Sequence, residues 1–501
     1  MKYQRVLRAV LLSAAVLGAR AAFGFGFADV VNTAQGLARE AYRDTKERVP
    51  QWMLDMTYDE WRDIRFRPSE ALWRKENLPF EVQFFHLGLY YPRPVSINVV
   101  DGGRVEHVRF SPALFDYGKN TFADRIPDDI GFAGFRVHYP IKTPTYKDEV
   151  IVFLGASYFR ALGRDEIYGL SARGIAVNTV EPEGEEFPYF TEFWLVKPAA
   201  EATTLTIYAL MDSPSLTGAY HFVVSPGVQT RVDVEAHLFF RRDVKKLGLA
   251  PLTSMFFHGE NTTRCFNDFR PEVHDSDGLL LYSRTGEWLW RPLDNPTKIH
   301  VSAFELNNPR GFGLIQRDRD FEHYQDLEAR SELRPSAWQE VHGNWGDGWV
   351  ELVELPTDSD IHDNIVAYWR PHRAPEKGDR IEVRYTIFWY GDDPSRPPGG
   401  RVVATRQERT KQGLQRFVVD FAGQELRELA ESTPPEAVLT VASGAETGEI
   451  TEHHLVKNPV NQTWRLSFQL RATGNRAVDL RAFLRRQKDV LTETWTYTYL
   501  P

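Results

Sequence analysis

A side-chain pattern of period two recurs through most of this chain, and few folds other than stacked β-sheets can satisfy it. Val232, Val234, Ala236, Leu238 and Phe240 alternate with mostly polar neighbours. The same holds for Leu205, Ile207, Ala209 and Met211, for Ile381, Val383, Tyr385, Ile387 and Trp389, and for Trp464, Leu466, Phe468 and Leu470. Successive side chains of a strand point to opposite faces, so each run is a strand with one buried face. Helical spacing is confined to short pieces. Residues 28–42 place Val30, Val31, Ala34, Leu37, Ala38 and Ala41 on one face. A second helix is expected to start at Thr57, where Glu60 completes a capping box, and a third spans 424–430. The expected class is all-β with a few helices.

The 501 residues suffice for two or three domains. Residues 1–24 read as a secretory signal peptide. Lys2, Arg5 and Arg8 precede an apolar run over 9–19, and Ala19-Arg20-Ala21 offers a cleavage site. Arg5 and Arg8 are not adjacent, so the general secretory route is expected. No other run approaches 18 apolar residues, and no stable membrane insertion is expected after cleavage. The segment holds four basic and no acidic residues, so its removal takes the net charge from −9 to −13. That charge argues against nucleic acid and anionic membranes as partners and suits a neutral polymer. The Pro- and Gly-dense stretch 391–401, GDDPSRPPGGR, reads as a linker. It divides a large β region, 25–390, from a C-terminal region, 402–501, the size of one immunoglobulin-like sandwich. The single cysteine, Cys265, cannot form an internal disulfide and is expected to be a buried structural thiol.

Several familiar chemistries are excluded. GLSARG (169–174) has its second glycine one place late for a nucleophile elbow, and DSDG (275–278) meets Gly286 where a calcium loop needs glutamate. There is no H-E-x-x-H, no zinc spacing and no phosphate loop, so no cofactor or metal is expected.

Two carboxylate-bearing loops remain. Within residues 349–369, two apolar runs flank TDSDIHDN, which carries Asp358, Asp360, His362, Asp363 and Asn364. The second loop is RPEVHDSDG, centred on Asp275 beside His274 and Ser276. Glycoside hydrolysis needs two carboxyl groups across the scissile bond, one to protonate the leaving oxygen and one to activate water. Asp360 beside Asp363 would favour a protonated acid there, and the polar neighbours of Asp275 suit an ionised base. On residues alone, both loops also read as solvated turns, and Asp358, Asp360 and Asp363 also read as calcium ligands. The 13 Trp, 20 Tyr and 32 Phe residues fill cores and also stack on sugar rings. Trp288, Trp290, Arg291, Arg334, Trp338 and Tyr168 are candidate sugar contacts on this basis, with core packing the alternative for each aromatic.

Long blocks sharpen these readings. FGFADVVNTAQGLA near the start, LGASYFRALG (154–163), YGLSARG (168–174), GEEFPYFTEFW (184–194) and YALMDSPSLTGAY (208–220) are followed by KLGLAPLTSMF (246–256), RPEVHDSDGL (270–279) and GEWLWRPLDNP (286–296). NPRGFGLIQRDRDF (308–321), RPSAW (334–338) and ETWTY (493–497) complete the set. In these blocks the chain resembles the periplasmic, osmoregulated glucan biosynthesis family of Gram-negative bacteria, the OpgG/OpgD (MdoG/MdoD) proteins, closer to the G type. The resemblance implies a large N-terminal β-supersandwich similar to galactose mutarotase, a C-terminal immunoglobulin-like β-sandwich, and a periplasmic location. It also implies inverting chemistry on linear β-1,2-glucan, with Asp363 as general acid, Asp275 as general base, and Asp360, His274 and Asn364 in support. Proton transfer to the base would run through water and a substrate hydroxyl. One departure stands out. Ser331 occupies a place where such proteins typically carry tyrosine, in a segment expected to cover the cleft, which leaves transfer to a sugar hydroxyl, even ring closure, open beside hydrolysis. The alternative from another class is a non-catalytic glucan-binding or export scaffold beside the inner-membrane glucan glucosyltransferase.

Overall fold

The alternating runs become strands with the expected inward faces. The strand Thr230–Phe240 buries its even positions and pairs antiparallel with Leu216–Ser225 on one side and Arg380–Tyr390 on the other. A computed structural model describes residues 24–45, 49–264, 266–444 and 446–501. The expected signal peptide up to residue 23 and Cys265 lie outside the described residues. Among the described residues, no helix is long and apolar enough to cross a membrane.

The fold is all-β. A 10-stranded and a 15-stranded sheet dominate. They close on an aromatic core in which Phe135, Phe153 and Phe159 meet Phe190, Phe193 and Phe222, with Phe153 and Phe222 centroids 5.2 Å apart. Burial of this kind stabilises by about 25 cal/mol per Å² of apolar surface removed from water. In the C-terminal region a four-stranded sheet, with Arg401–Arg409, Gln415–Ala422, Trp464–Ala472 and Gly448–Lys457, packs through Phe417, Phe468 and Trp464 onto Trp495 and its neighbours.

Helices are short, as the spacing predicts. Thr57 and Glu60 form the capping box, with the Thr57 N–H donating to Glu60 Oε2 at 2.8 Å. The first helix, Phe27–Leu37, ends five residues earlier than its apolar spacing suggests. The carbonyls of Leu37 and Glu40 accept from Arg241 at 2.8 and 3.0 Å, so hydrogen bonding that would prolong the helix goes to a distant side chain.

The C-terminal sandwich is not a tethered appendage. Its last strand, Thr494–Tyr499, runs parallel to Trp288–Pro292 and pairs Leu289 with Thr494 and Trp290 with Trp495. The 15-stranded sheet therefore passes through both lobes. The stretch expected to act as a linker is docked, because the Gly400 N–H donates to Leu491 O and its carbonyl accepts from Glu493 N, each at 2.9 Å. Arg317 Nη1 and Nη2 reach both oxygens of Glu493 at 2.6 and 2.9 Å, and its guanidinium lies 3.5 Å from the Trp290 ring centroid. The Glu493 side chain is fully buried.

Removing one partner of such a pair strands a buried charge. Glu493→Ala is therefore expected to lower the unfolding free energy by about 3–5 kcal/mol, read from urea denaturation. A loss below about 1 kcal/mol would mean that the pair does not join the lobes.

Candidate active site

The Asp363 loop hangs from a hairpin. Strands Asp347–Glu354 and Ile365–Pro371 pair up to Glu354 opposite Ile365, leaving residues 355–364 as the connection. Buried carboxamides fasten this loop. Asn364 Oδ1 accepts from Phe256 N at 2.8 Å, and its Nδ2 donates to Phe256 O and Leu355 O at 3.0 Å each. Asn295 Nδ2 donates to Thr357 O at 2.9 Å and Phe257 O at 3.0 Å, while its Oδ1 accepts from Thr357 N at 3.0 Å. Asp363 and Asp358 remain exposed. Asp360 does not supply the repulsion expected of it, because its carboxylate is bound by Arg270 at 2.8 Å. Its engagement also undoes the calcium reading: Asp358, Asp360 and Asp363 do not converge among the described residues.

Asp275 arrives from the same direction. The strand Phe256–His258 pairs with Val273–His274, and the Asp275 N–H donates to Met255 O at 2.8 Å. Its setting is not the open polar one the neighbouring residues suggest. Asp275 is buried, and Ser276 is occupied by Ser254, the two hydroxyls lying 2.8 Å apart. Burial raises the Asp275 pKa, the Arg334 guanidinium that ion-pairs with it pulls it back, and the Asp363 charge pushes it up again. The two aspartates are therefore electrostatically coupled, although 88 positions separate them in sequence. Gly169 makes room for this pair. A Cβ there would lie 2.8 Å from Arg334 Cβ, closer than carbon atoms approach, so the glycine of YGLSARG lets the arginine pass.

His274 lies in a separate pocket of charge. Its Nδ1 meets Gln316 Oε1 at 3.0 Å and its Nε2 meets Glu272 Oε2 at 2.9 Å, with the ring stacked on Phe256. Burial alone would lower its pKa, but Asp277 and Glu272 raise it to about 10, so it is an imidazolium at neutral pH. The ligand atoms of Glu272, His274 and Asp277 lie within 4.8 Å of one another. Protein partners already satisfy them: Asp277 also accepts from the main-chain N–H of Asp318 at 2.9 Å. The cluster thus works as an internal ion network behind the Asp275 turn. Ser331, expected to help cover the cleft, is buried, and its carbonyl accepts from Gln316 Nε2 at 3.2 Å.

The aromatic candidates separate sharply from the rest. Trp290 and Trp338 are buried in the core between the lobes. Trp288 stacks on Tyr282 at 4.1 Å, packed against the same core. Arg291 is buried near Glu354 at 3.4 Å. Trp288, Trp290 and Trp338 pack into the core that the C-terminal region covers, and Arg291, on the opposite face of its strand, is taken up by Glu354 and the Tyr497 ring. Arg334 is in place. Tyr168 sits beside Glu149, and burial keeps its phenol protonated.

A row of polar side chains on the outer face of the 10-stranded sheet was not foreseen. Tyr158 pairs across strands with Arg173, and Arg160, Arg136 and Gln83 line up over neighbouring strands, with apolar Val152 between the two arginines. Arg173 lies 4.8 Å from the Tyr158 ring centroid, donates to Thr253 Oγ1 at 2.8 Å and pairs with Glu185 at 2.6 Å. Burial raises the Tyr158 pKa, and Asp363 adds to the rise, while Arg160 acts on Asp275. Tyr158 and Arg160 alternate with buried Phe159 and Ala161, whereas Arg173 is itself buried. A cavity of about 590 Å³ between Arg264, Thr297, Thr357, His362 and Asp363 opens on the acid loop's flank.

The buried Asp275–Arg334 pair and the exposed Asp363 thus have Arg160, Arg173 and Tyr158 among their charged and polar neighbours. Comparison with known proteins fits this geometry. The family model described as "Periplasmic glucan biosynthesis protein, MdoG" matches residues 25–499. The chain is also 47% identical over 498 residues to "Glucans biosynthesis protein G" of Ralstonia nicotianae, a match covering 97% of this chain and 98% of that protein. The chain belongs to the MdoG family of periplasmic glucan biosynthesis proteins.

Proposed function

We propose that this protein is a periplasmic enzyme that cleaves or transfers linear β-1,2-glucan with inversion at the anomeric carbon. Asp363 protonates the leaving glycosidic oxygen. Asp275 accepts the proton of the attacking hydroxyl, whether water or a sugar, through an intervening water and a substrate hydroxyl. The observation that carries this reading is the contrast between Asp275, buried and ion-paired with Arg334, and Asp363, exposed on its loop. The two carboxyls then have different environments, which is what separates an acid from a base. Arg334 favours the ionised form of Asp275, which a base needs. Tyr158, Arg160 and Arg173 would bind sugar hydroxyls along the chain.

The decisive experiment incubates the purified protein with linear β-1,2-glucan and follows products by mass, reducing-end count and NMR. An α-anomeric signal is expected, as a free α reducing end after hydrolysis or as an α-linkage after transfer. Ends that rise with every cleavage indicate hydrolysis; ends that stay constant indicate transfer or ring closure. Glucan bound but returned unchanged would eliminate the enzyme and leave a binding or export role beside the glucan glucosyltransferase.

Asp363→Asn should lower turnover by about two to four powers of ten while the fold and glucan affinity persist. Near-normal turnover in a folded variant would remove Asp363 from the acid role.

The pH profile tests the base. Activity requires ionised Asp275, so it is present above that group's pKa and lost as pH falls through it. Arg334 lowers this pKa. Arg334→Met should therefore move the acid limb of kcat/KM up by about one pH unit, with Arg334→Lys restoring part of the shift. An acid limb that stays in place in Arg334→Met would separate Asp275 from the rate.

A further inference from the structure

One guanidinium ties three loops together at the edge of the candidate cleft. Arg270 Nη1 contacts Asp360 Oδ2 at 2.8 Å and Asp326 Oδ2 at 3.1 Å, while Nε and Nη2 grip Asp268 at 3.0 and 2.7 Å. Each of the three aspartates is followed directly by a large apolar residue that the fold leaves outside. Phe269 is 79% exposed, Leu327 81% and Ile361 80%. Among the described residues, only Val460 is a more exposed large apolar side chain. Single exposed apolar residues are ordinary, but three on loops held by one guanidinium are a grouping that invites an occupant.

The occupant can be argued from position and charge. Ile361 is two residues from Asp363, so their Cα atoms are within about 7 Å. The Ile361 end of the group therefore adjoins the Asp363 loop. Three carboxylates share one guanidinium, so the hub carries a net charge of −2 by count. That charge opposes an anionic lipid surface. A neutral sugar fits both halves of the chemistry: its C–H face packs on Phe269, Leu327 and Ile361, and its hydroxyls donate to carboxylate oxygens.

We infer that Phe269, Leu327 and Ile361 form an outer glucan-binding subsite, over which a chain running out of the cleft lays the apolar face of its sugars. This rests on the glucan reading of the cleft. Arg270 is the positioning residue of the subsite, since it fixes all three loops.

The test is the dependence of affinity on glucan length. Binding of linear β-1,2-glucans of increasing length is measured by calorimetry on the Asp363→Asn protein, which prevents turnover. Phe269→Ala, alone and with Leu327→Ser and Ile361→Ser, is then added. All three side chains are exposed, so the fold should persist. The parent should bind long chains more tightly than short ones. The variants should lose about tenfold in affinity for long chains and nothing for short ones. A length dependence that the substitutions leave intact would overturn the subsite and leave the glucan reading standing. So would a change confined to self-association, or to binding of phosphatidylglycerol vesicles. A parent that binds no glucan of any length would end both.

Discussion

The spacing of the two candidate aspartates is set by buried carboxamides rather than by loop length. Asn364 treats Phe256 as a strand partner, giving and receiving one hydrogen bond each, and Asn295 does the same for the Thr357 main chain while also holding Phe257. Phe256 in turn pairs with His274, the residue before Asp275. A continuous chain of hydrogen bonds thus runs from one carboxyl-bearing loop to the other. Each carboxamide is fully inside, and a buried polar group left without a partner costs about 1–3 kcal/mol. Neither side of the clamp can be released alone at small cost. This gives a mechanically stiff base to loops whose tips are open to solvent, the usual requirement for a site that must hold two groups at a working distance.

Charge is arranged in compartments around that base. The outer compartment holds Asp275 paired with Arg334, and Tyr158 beside Arg173 and within the fields of Asp363 and Arg160. The inner one is the His274 cluster, where an imidazolium offsets Glu272 and Asp277. Behind it, burial and Glu272 raise the pKa of Glu260 to about 8, and this carboxyl accepts from the Thr405 N–H of the C-terminal lobe. Adjacent residues 274 and 275 therefore serve different environments, as alternation along an extended chain requires. A single buried acidic turn would be unstable with all its carboxylates ionised. Splitting them between two sets of cations lets the RPEVHDSDG segment keep four acidic side chains within and beside it.

Much of the architecture was legible because period two is a local property. The strands Thr230–Phe240, Leu205–Asp212, Arg380–Tyr390 and Trp464–Ala472 all fall on the alternating runs. The pair of aspartates was visible as acidic loops between apolar runs, and the family resemblance singled them out. The sugar contacts were not legible in the same way. Alternation shows that Trp288 and Trp290 share a face, but not what covers it, and the cover comes from a separate four-stranded sheet more than a hundred positions away, through Phe417, Phe421 and Trp464. Tyr158, Arg160 and Arg173 were not singled out at all, because their gathering depends on strand order in the 10-stranded sheet. That order is a long-range property. The Pro- and Gly-rich stretch was a sound sign that a strand ladder ends there, and no sign that the lobes separate.

The parallel pairing of Thr494–Tyr499 with Trp288–Pro292 has a temporal side. A chain made from its N-terminus meets this strand last. Until then the edge at Leu289 and Trp290 lacks its neighbour, and Arg317 lacks Glu493. An unpaired apolar edge is a template for association with other chains. The large lobe therefore passes through a vulnerable interval whose length is set by the time needed to deliver the final two hundred residues. The same dependence acts as a check on completeness, since a chain truncated before its last strand cannot finish the sheet that carries Gly278–Tyr282, the strand leading directly out of the Asp275 turn.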